Sequence, residues 1–302
     1  AAFNARLNGF DNVRCLTGDS FEPVQGSVFD HIICNPPFIL APSTRYLYRD
    51  SGMDLDGFCR RLAHEAPRYL DEGGFFQMIF DWAQVEGQSW QERLSEWFEG
   101  NGCDVWLIKL YAQAPSWYAQ MRIREVPGSS SEDDTAEFSA WMRYYKERRV
   151  EAIHGGLVAM RRRRGDNWMK FEEVDAKPQG AFGEMIARGF EARDFLDAHA
   201  SDELLLAARL RVAPEARLQQ TCRREEEGWR PSSIRLSLDG GLPRMIGLDA
   251  DVAEFLGRFD GRRTLRDLIR EMASAAGISP EGAQAECLGF ARLMIERGVL
   301  LP

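Results

Sequence analysis

The chain has 302 residues, 44% of them apolar and 28% charged, with a formal net charge of −9 at pH 7. That length and apolar content suit two folded domains with real cores and exclude a disordered chain. No run of about 18 apolar residues is present, so no membrane span is expected, and the acidic balance means that any nucleic-acid contact must come from a local basic patch.

The six cysteines, at positions 15, 34, 59, 103, 222 and 287, form no Cys-x-x-Cys pair, and the four histidines are equally dispersed. This spacing argues for reduced thiols in a cytoplasmic protein, with neither a zinc site nor a disulfide framework. The first residues, Ala1-Ala2-Phe3-Asn4, turn polar too soon for a signal peptide.

Ala1 to Gly9 reads as the end of an amphipathic helix, stopped by Asn8-Gly9. Val13 to Asp19 reads as a strand with a polar end, and Gly18-Asp19-Ser20 is equally a plain turn or helix cap. Phe29 to Cys34 predicts a short buried strand, with the branched Ile32 and Ile33 suited to a sheet interior. That strand has to stop at Asn35, because Pro36 and Pro37 cannot donate to a ladder and bias the residues ahead of them toward extended backbone. The result is a stiff corner that carries a polar amide at the carboxyl end of a strand, followed by Phe38. In open α/β sheets, ligands bind at that edge.

Asn35-Pro36-Pro37-Phe38 resembles the Asn-Pro-Pro-Phe/Tyr motif of class I S-adenosylmethionine-dependent methyltransferases that act on planar nitrogens. Release-factor glutamine N5-methyltransferases and amino-methylating RNA and DNA enzymes are the nearest look-alikes. Asn4 to Gly9, then Val13 to Asp19, then the Asn35 corner follow the order seen in that family. Asp56-Gly57-Phe58, Ala66 to Leu70 and Gly73-Gly74 continue it, so that the resemblance covers about residues 1–165.

The resemblance implies that the Asn35 side-chain carbonyl and the Pro36 main-chain carbonyl accept the two N–H groups of the target nitrogen. Phe38 stacks on the flat acceptor group, on the corner that Pro37 stiffens. An amide nitrogen is a poor nucleophile, since its lone pair is delocalised, and acceptors at its hydrogens matter most as positive charge develops there. For the cofactor, S-adenosylmethionine, the resemblance implies that Asp19 accepts from the adenine amino group, Ser20 N–H meets a ring nitrogen, Phe21 flanks the adenine, and Asn35 adjoins the methyl donor. No metal is implied. A family member should begin with a strand, a Gly-rich turn and a helix. None of these precedes Ala1, and Asp239-Gly240-Gly241 runs into a proline-containing segment where a helix would have to start. The expectation is therefore the carboxyl-terminal part of a longer enzyme, its Rossmann-like sheet incomplete at the amino end.

The aromatic and charged loop Ile39 to Met53, with Arg45, Tyr46, Tyr48, Arg49 and Asp50, would contact substrate. A helix follows from Asp54 to Leu70, ended by Gly73-Gly74, and then a strand from Phe75 to Phe80 that finishes in Asp81-Trp82. Ser89 opens a capped helix to Phe98, and Val105 to Tyr111 is a strand. Tyr118 to Arg149 reads as helical pieces around a break at Ser129 to Asp134, and Ile153 to Met160 as a last strand, antiparallel in family members. The run Arg161 to Arg164 is either a solvated strand end or a phosphate-binding patch.

The composition changes near 165–180, which divides the chain into a methyltransferase domain, 1–165, and an accessory domain, 166–302. The second domain predicts helix over Phe190 to Ala208, strands over Leu210 to Thr221 and Ile234 to Leu238, a helix from Asp249 to Phe259 and a turn at Asp260-Gly261. Helices capped by Thr264 and Ser279 and a closing strand at Val299 to Leu301 complete it. The order suggests a winged-helix-like α+β domain. Arg258, Arg262, Arg263, Arg266 and Arg270 either touch nucleic acid or form a solvated face. The expected acceptor is a protein glutamine or a nucleic-acid base. A small-molecule acceptor and an inactive binding module are the alternatives. Nothing in the sequence fixes the oligomeric state.

Overall fold

The computed structural model describes residues 1–46, 48–125, 131–174, 180–181, 183–226, 228–242 and 245–302. The chain divides into two compact units, Ala1–Glu173 and Val174–Pro302.

The elements of the first unit are α1 (Ala2–Leu7), β1 (Phe29–Cys34), α2 (Gly57–Glu65), β2 (Leu70–Val85), α3 (Trp90–Phe98), β3 (Cys103–Gln113), α4 (Pro115–Arg124), α5 (Ser131–Glu147), β4 (Val150–Arg162) and β5 (Met169–Glu173). The strands form one mixed sheet in the order β1-β2-β4-β3-β5. β1 runs parallel to β2, β4 runs antiparallel to both β2 and β3, and β5 runs parallel to β3. The carboxyl ends of β1, β2 and β3 therefore share an edge with the amino end of β4. α2 and α3 bury Leu62, Leu94 and Trp97 with Phe76, Phe80 and Trp82 of β2 in one apolar cluster. α4 and α5 bury Tyr118, Ile123, Trp141 and Tyr145 with Ile39, Leu40 and Ile153 in another.

The structure corrects the sequence reading in several places. Val13 to Asp19 is not a strand, and Val13 and Leu16 are exposed. An extended segment becomes a strand only when its backbone groups find a ladder partner, and none of the described residues supplies one. α1 buries nothing, so its apolar side has no core to face. β1 is an edge strand instead of a buried one, paired only to β2, and Ile33 is 76% exposed. Gly73-Gly74 does not end a helix. Pro67 converts the end of α2 into a 3₁₀ turn over Ala66–Tyr69, and the glycines lie inside β2 where the register with β1 shifts. Gly73 has a φ of +81°, and a Cβ on Gly74 would stand 2.8 Å from the Phe29 carbonyl oxygen. The division between units falls after Glu173, within the range 165–180 where the composition changes, and Met169–Glu173 pairs with β3 in the first unit. The predicted break at Ser129 to Asp134 lies partly outside the described residues, and α5 already begins at Ser131.

The Arg161 to Arg164 run is drawn into the sheet's own electrostatics. Asp104, fully buried, accepts from Arg161 at 2.8 Å and stands 3.6 Å from Arg163. Arg162 donates to the carbonyls of Asn101 and Gly102, and Arg164 lies beside Glu72. Buried charges have to be paired, and Arg161 and Arg163 of this run pair one, while Arg164 remains exposed.

His154 on β4 is 4% exposed, bonded through Nε2 to Gln84 at 2.9 Å, and its Nδ1 has no partner among the described residues. Burial, with Lys109 nearby, pushes its imidazole down to about 4. Between that value and the ordinary 6.5 the unfolded chain binds a proton that the folded chain refuses. His154 is thus neutral to stability above about pH 6.5 and destabilises progressively as pH falls toward 4, on the order of 3 kcal/mol by the end. His154→Gln should flatten the pH dependence of unfolding between pH 6.5 and 4, measured by denaturant titration. An unchanged slope would contradict this assignment.

The second unit contains α6 (Gly183–Ala198), α7 (Asp202–Ala207), β6 (Arg209–Val212), β7 (Ala216–Glu225), β8 (Gly228–Leu238), β9 (Met245–Leu248), α8 (Ala250–Leu256), β10 (Asp260–Thr264), α9 (Leu265–Ala276), α10 (Pro280–Glu296) and β11 (Leu300–Leu301). Its strands form two antiparallel sheets, β10-β6-β11 and β7-β8-β9. The predicted strand Leu210 to Thr221 is interrupted around Pro214, and Asp260-Gly261 opens a bulged strand where a turn was expected. The winged-helix expectation rested on helix, helix, helix and strand; α8, α9, α10 and β11 follow in that order, with the additional strand β10 between α8 and α9. However, the central strand β6 comes from upstream of α8, so no hairpin wing joins it to β11. Arg258, Arg263 and Arg266 are paired at the surface with Glu254, with Asp260 and Glu271, and with Glu203.

All six cysteines are free. Among the described residues no helix is long and apolar enough to cross a membrane, and no group of histidines, cysteines and carboxylates could hold a metal ion.

Candidate active site

The carboxyl end of β1 opens directly into the Asn35-Pro36-Pro37-Phe38 corner. Asn35 is exposed and Pro36 is buried, which fixes the bend against the protein while leaving the amide accessible. Asn35, Pro36, Phe38, Ile39, Tyr48, Arg49, Arg122 and Glu125 line one cavity of about 240 Å³. Burial pushes the neighbouring Cys34 thiol up to about 11, so it stays protonated and is no thiolate nucleophile near neutral pH.

The loop after the corner is stapled shut by its own polar groups. Ile39 N–H donates to the Arg49 carbonyl at 3.0 Å, and Tyr46 N–H donates to Asp50 at 2.9 Å. Arg49 donates through Nε to Asp50 at 3.0 Å and through a terminal nitrogen to the Arg122 carbonyl at 2.9 Å, with its guanidinium 4.8 Å above the Tyr46 ring. This ties the loop to α4, and Tyr48, 78% exposed, is left at the cavity.

Arg122 is itself fixed from below. Asp81, on β2 at the same edge of the sheet, is 1% exposed and accepts from Tyr118 at 2.7 Å, from Arg122 at 3.1 Å and from the Tyr111 hydroxyl. Burial raises the Asp81 carboxyl above the usual range, against the lowering influence of the two phenols and the guanidinium. Burial and the facing Asp81 raise both tyrosines, so these hydroxyls remain donors. Gly155 makes room for the arrangement: a Cβ there would meet the Tyr111 ring at 2.1 Å and Asp81 at 2.5 Å. Sequence reasoning missed this network. Its signals were a carboxylate closing an apolar strand and a Gly-Gly pair inside another strand, where glycine marks a close approach.

The expected adenine-binding residues are placed differently. Asp19 is exposed and pairs with Arg61 of α2 at 2.9 Å, and Ser20 accepts from the same guanidinium at 2.6 Å while donating to Asp19 at 2.7 Å. Those hydrogen bonds, from Ser20 and then Arg61, hold the Asp19 carboxyl below its ordinary value. Phe21 stacks on Tyr69 with ring centroids 4.5 Å apart. In this structure Asp19, Ser20 and Phe21 are engaged by these neighbours. Among the described residues of the first unit no Gly-rich strand-turn-helix is present, and Asp239-Gly240-Gly241 lies in the second unit, beyond β8. The structure thus gathers Asn35, Pro36 and Phe38 at one cavity and leaves the three adenine candidates outside its lining.

Residues 187–302 match a family described as a domain of unknown function (DUF7782). A 94-residue stretch is 34% identical to release factor glutamine methyltransferase of Xylella fastidiosa (strain 9a5c), covering 28% of this chain and 34% of that protein. The chain therefore spans about a third of the length of the curated relative it matches. Among solved structures, one described as StiE O-MT residues 942–1257 is 16% identical, with a TM-score of 0.31 over 55% of this chain and 56% of that one. Haemonchus contortus phospholethanolamine N-methyltransferase 2, solved with phosphomonomethylethanolamine and S-adenosylhomocysteine, is 12% identical, with a TM-score of 0.25 over 45% and 34%. At a coarse level the chain is a mixed α/β protein with weak, partial sequence similarity to a methyltransferase.

Proposed function

We propose that the first unit carries the acceptor-binding side of an S-adenosylmethionine-dependent N-methyltransferase, and that its acceptor is a planar amide nitrogen on a protein side chain. The observation that carries the reading is the placement of Asn35: exposed at the carboxyl end of a parallel strand, on a rigid proline corner, facing a cavity that Phe38 also lines. The 34% identity to a release factor glutamine methyltransferase over 94 residues supports the choice of chemistry. S-adenosylmethionine would supply an electrophilic methyl group. The chain's own residues would hold the nitrogen: Asn35 Oδ1 and the Pro36 carbonyl accept its two hydrogens, while Phe38 covers one face of the amide plane. Holding the nitrogen with its lone pair directed at the donor supplies much of the acceleration. No base has to act first, because the methylated nitrogen can lose its proton afterwards.

Charge favours a protein over a nucleic acid. The cavity's two guanidiniums are matched by acids, Arg49 by Asp50 and Arg122 by Asp81 and Glu125. A phosphate backbone is bound by cations free to displace its counterions, and here the neighbouring Glu125 would repel it. A methyl-transfer assay with the full-length protein tests the reading. Glutamine-containing peptides should be methylated in preference to RNA and DNA oligonucleotides, with weak salt dependence. Labelling of oligonucleotides alone, falling steeply with salt, would overturn the choice of acceptor.

A further inference from the structure

We infer that a second cavity of the first unit, about 330 Å³ in volume, is a subsite for the main chain of the protein substrate. It takes peptide groups a few residues away from the acceptor glutamine. The inference rests on the proposed reading of Asn35 as the acceptor site.

One loop contributes to both cavities. Phe38, Ile39, Tyr48 and Arg49 line the first, and Ser43, Thr44, Gly52 and Asp54 line the second. Ile39 belongs to the first lining and Ala41 to the second, with only Leu40 between them. Consecutive Cα atoms are about 3.8 Å apart, so the two linings approach within about 7 Å along the chain. That short wall is held in place. Leu40 is fully buried, and its carbonyl accepts from the Tyr145 hydroxyl at 2.9 Å. Ala41 N–H donates to the Ile39 carbonyl at 2.9 Å, and Ile39 bridges to Asp50. Gly52, with a φ of +75°, closes the other side of the loop, where a Cβ would stand 2.7 Å from the Thr44 methyl. An extended peptide with its glutamine in the Asn35 cavity reaches the second cavity within about four residues.

The second cavity offers hydrogen-bonding groups of both senses and balanced charge. Asp54 is its carboxylate and Arg148 its guanidinium, and the two pair through Arg148 Nε. The guanidinium lies 3.9 Å above the Tyr144 ring. The Tyr144 hydroxyl accepts from Leu55 N–H at 2.8 Å and donates to Asp54 at 3.3 Å. These contacts use one oxygen of Asp54, and Nε and one terminal nitrogen of Arg148. The second Asp54 oxygen, the other Arg148 terminal nitrogen and the hydroxyls of Ser43 and Thr44 have no partner among the described residues. Asp54, Ser43 and Thr44 are exposed and Arg148 partly so, which leaves these groups within reach of a ligand. A peptide group is neutral, with one donor and one acceptor. A carboxylate beside guanidinium and hydroxyl donors matches it, whereas an ionic ligand of either sign would meet a like charge.

Contacts made away from the reacting nitrogen are equal before and during transfer, so they lower KM and leave kcat nearly unchanged. The test measures methyl transfer by the full-length protein to N-acetylglutamine amide and to glutamine peptides extended by several residues on either side. Extension should lower KM about tenfold, as about two neutral hydrogen bonds would, whatever the charge of the added side chains. Esters in place of the added amides should remove most of that gain. In Arg148→Ala the short and extended substrates should have nearly the same KM. Thr44→Val keeps the methyl beside Gly52 and should remove a smaller part of the gain. An equal KM for short and long peptides, or a gain that follows the charge of the added residues, would overturn this inference and spare the reading of Asn35. If no glutamine substrate is methylated, both fall.

Discussion

On the proposed reading, Asn35→Ala in the full-length protein should lower kcat by about 10²–10³ while leaving affinity for the methyl donor within a few-fold. The reasoning is that the Asn35 carbonyl contributes little when the amide is flat and neutral and most when positive charge gathers on nitrogen. Its removal is therefore felt at the barrier and hardly in the ground state. Asn35→Asp keeps an acceptor oxygen at the same bond length from the backbone and should retain more activity than alanine. Equal losses of kcat and donor affinity on Asn35→Ala would mean that the residue supports the fold or the cofactor, and the acceptor role would be withdrawn.

Asp56→Ala should destabilise the first unit by about 3–5 kcal/mol. Asp56 is 3% exposed and accepts from two nitrogens of Arg93, at 2.6 and 2.5 Å, and from the Ala83 N–H at 2.9 Å. One carboxylate thus fastens the start of α2 to α3 and to the end of β2, just beyond Asp81. Removing it strands a guanidinium that is 16% exposed and orphans a buried backbone donor. Denaturant unfolding should show the loss for Asp56→Ala. Adding Arg93→Ala to it should cost less than the sum of the two single changes, because the stranded charge goes with it. Strict additivity would contradict the pairing.

Much of the sheet was legible from residue pattern. The apolar runs at β2, β3 and β4 and the Ser89 and Thr264 caps lie where the sequence placed them, because burial and capping are local demands that a short window records. What failed was whatever depended on a neighbour. Val13 to Asp19 has a strand's composition without a partner for its backbone, and β1 has only one. The Gly73-Gly74 pair reads as a helix stop, yet it serves as a bulge because the Phe29 carbonyl crowds it. At the candidate site the Asn35 corner is local, since two prolines dictate it. Asp81, Tyr111, Tyr118 and Arg122 come from three separate elements and meet only once the sheet is assembled. The arginines at 161–164 make the same point, their meaning set by Asp104, more than 50 positions away in the chain.

The most direct measurement is a crystal structure of the full-length protein with S-adenosylhomocysteine and a glutamine-containing peptide. It should place the side-chain amide nitrogen about 2.9 Å from Asn35 Oδ1, within the cavity between Phe38 and Arg122. A peptide bound elsewhere, with the Asn35 cavity filled only by solvent, would contradict the assignment.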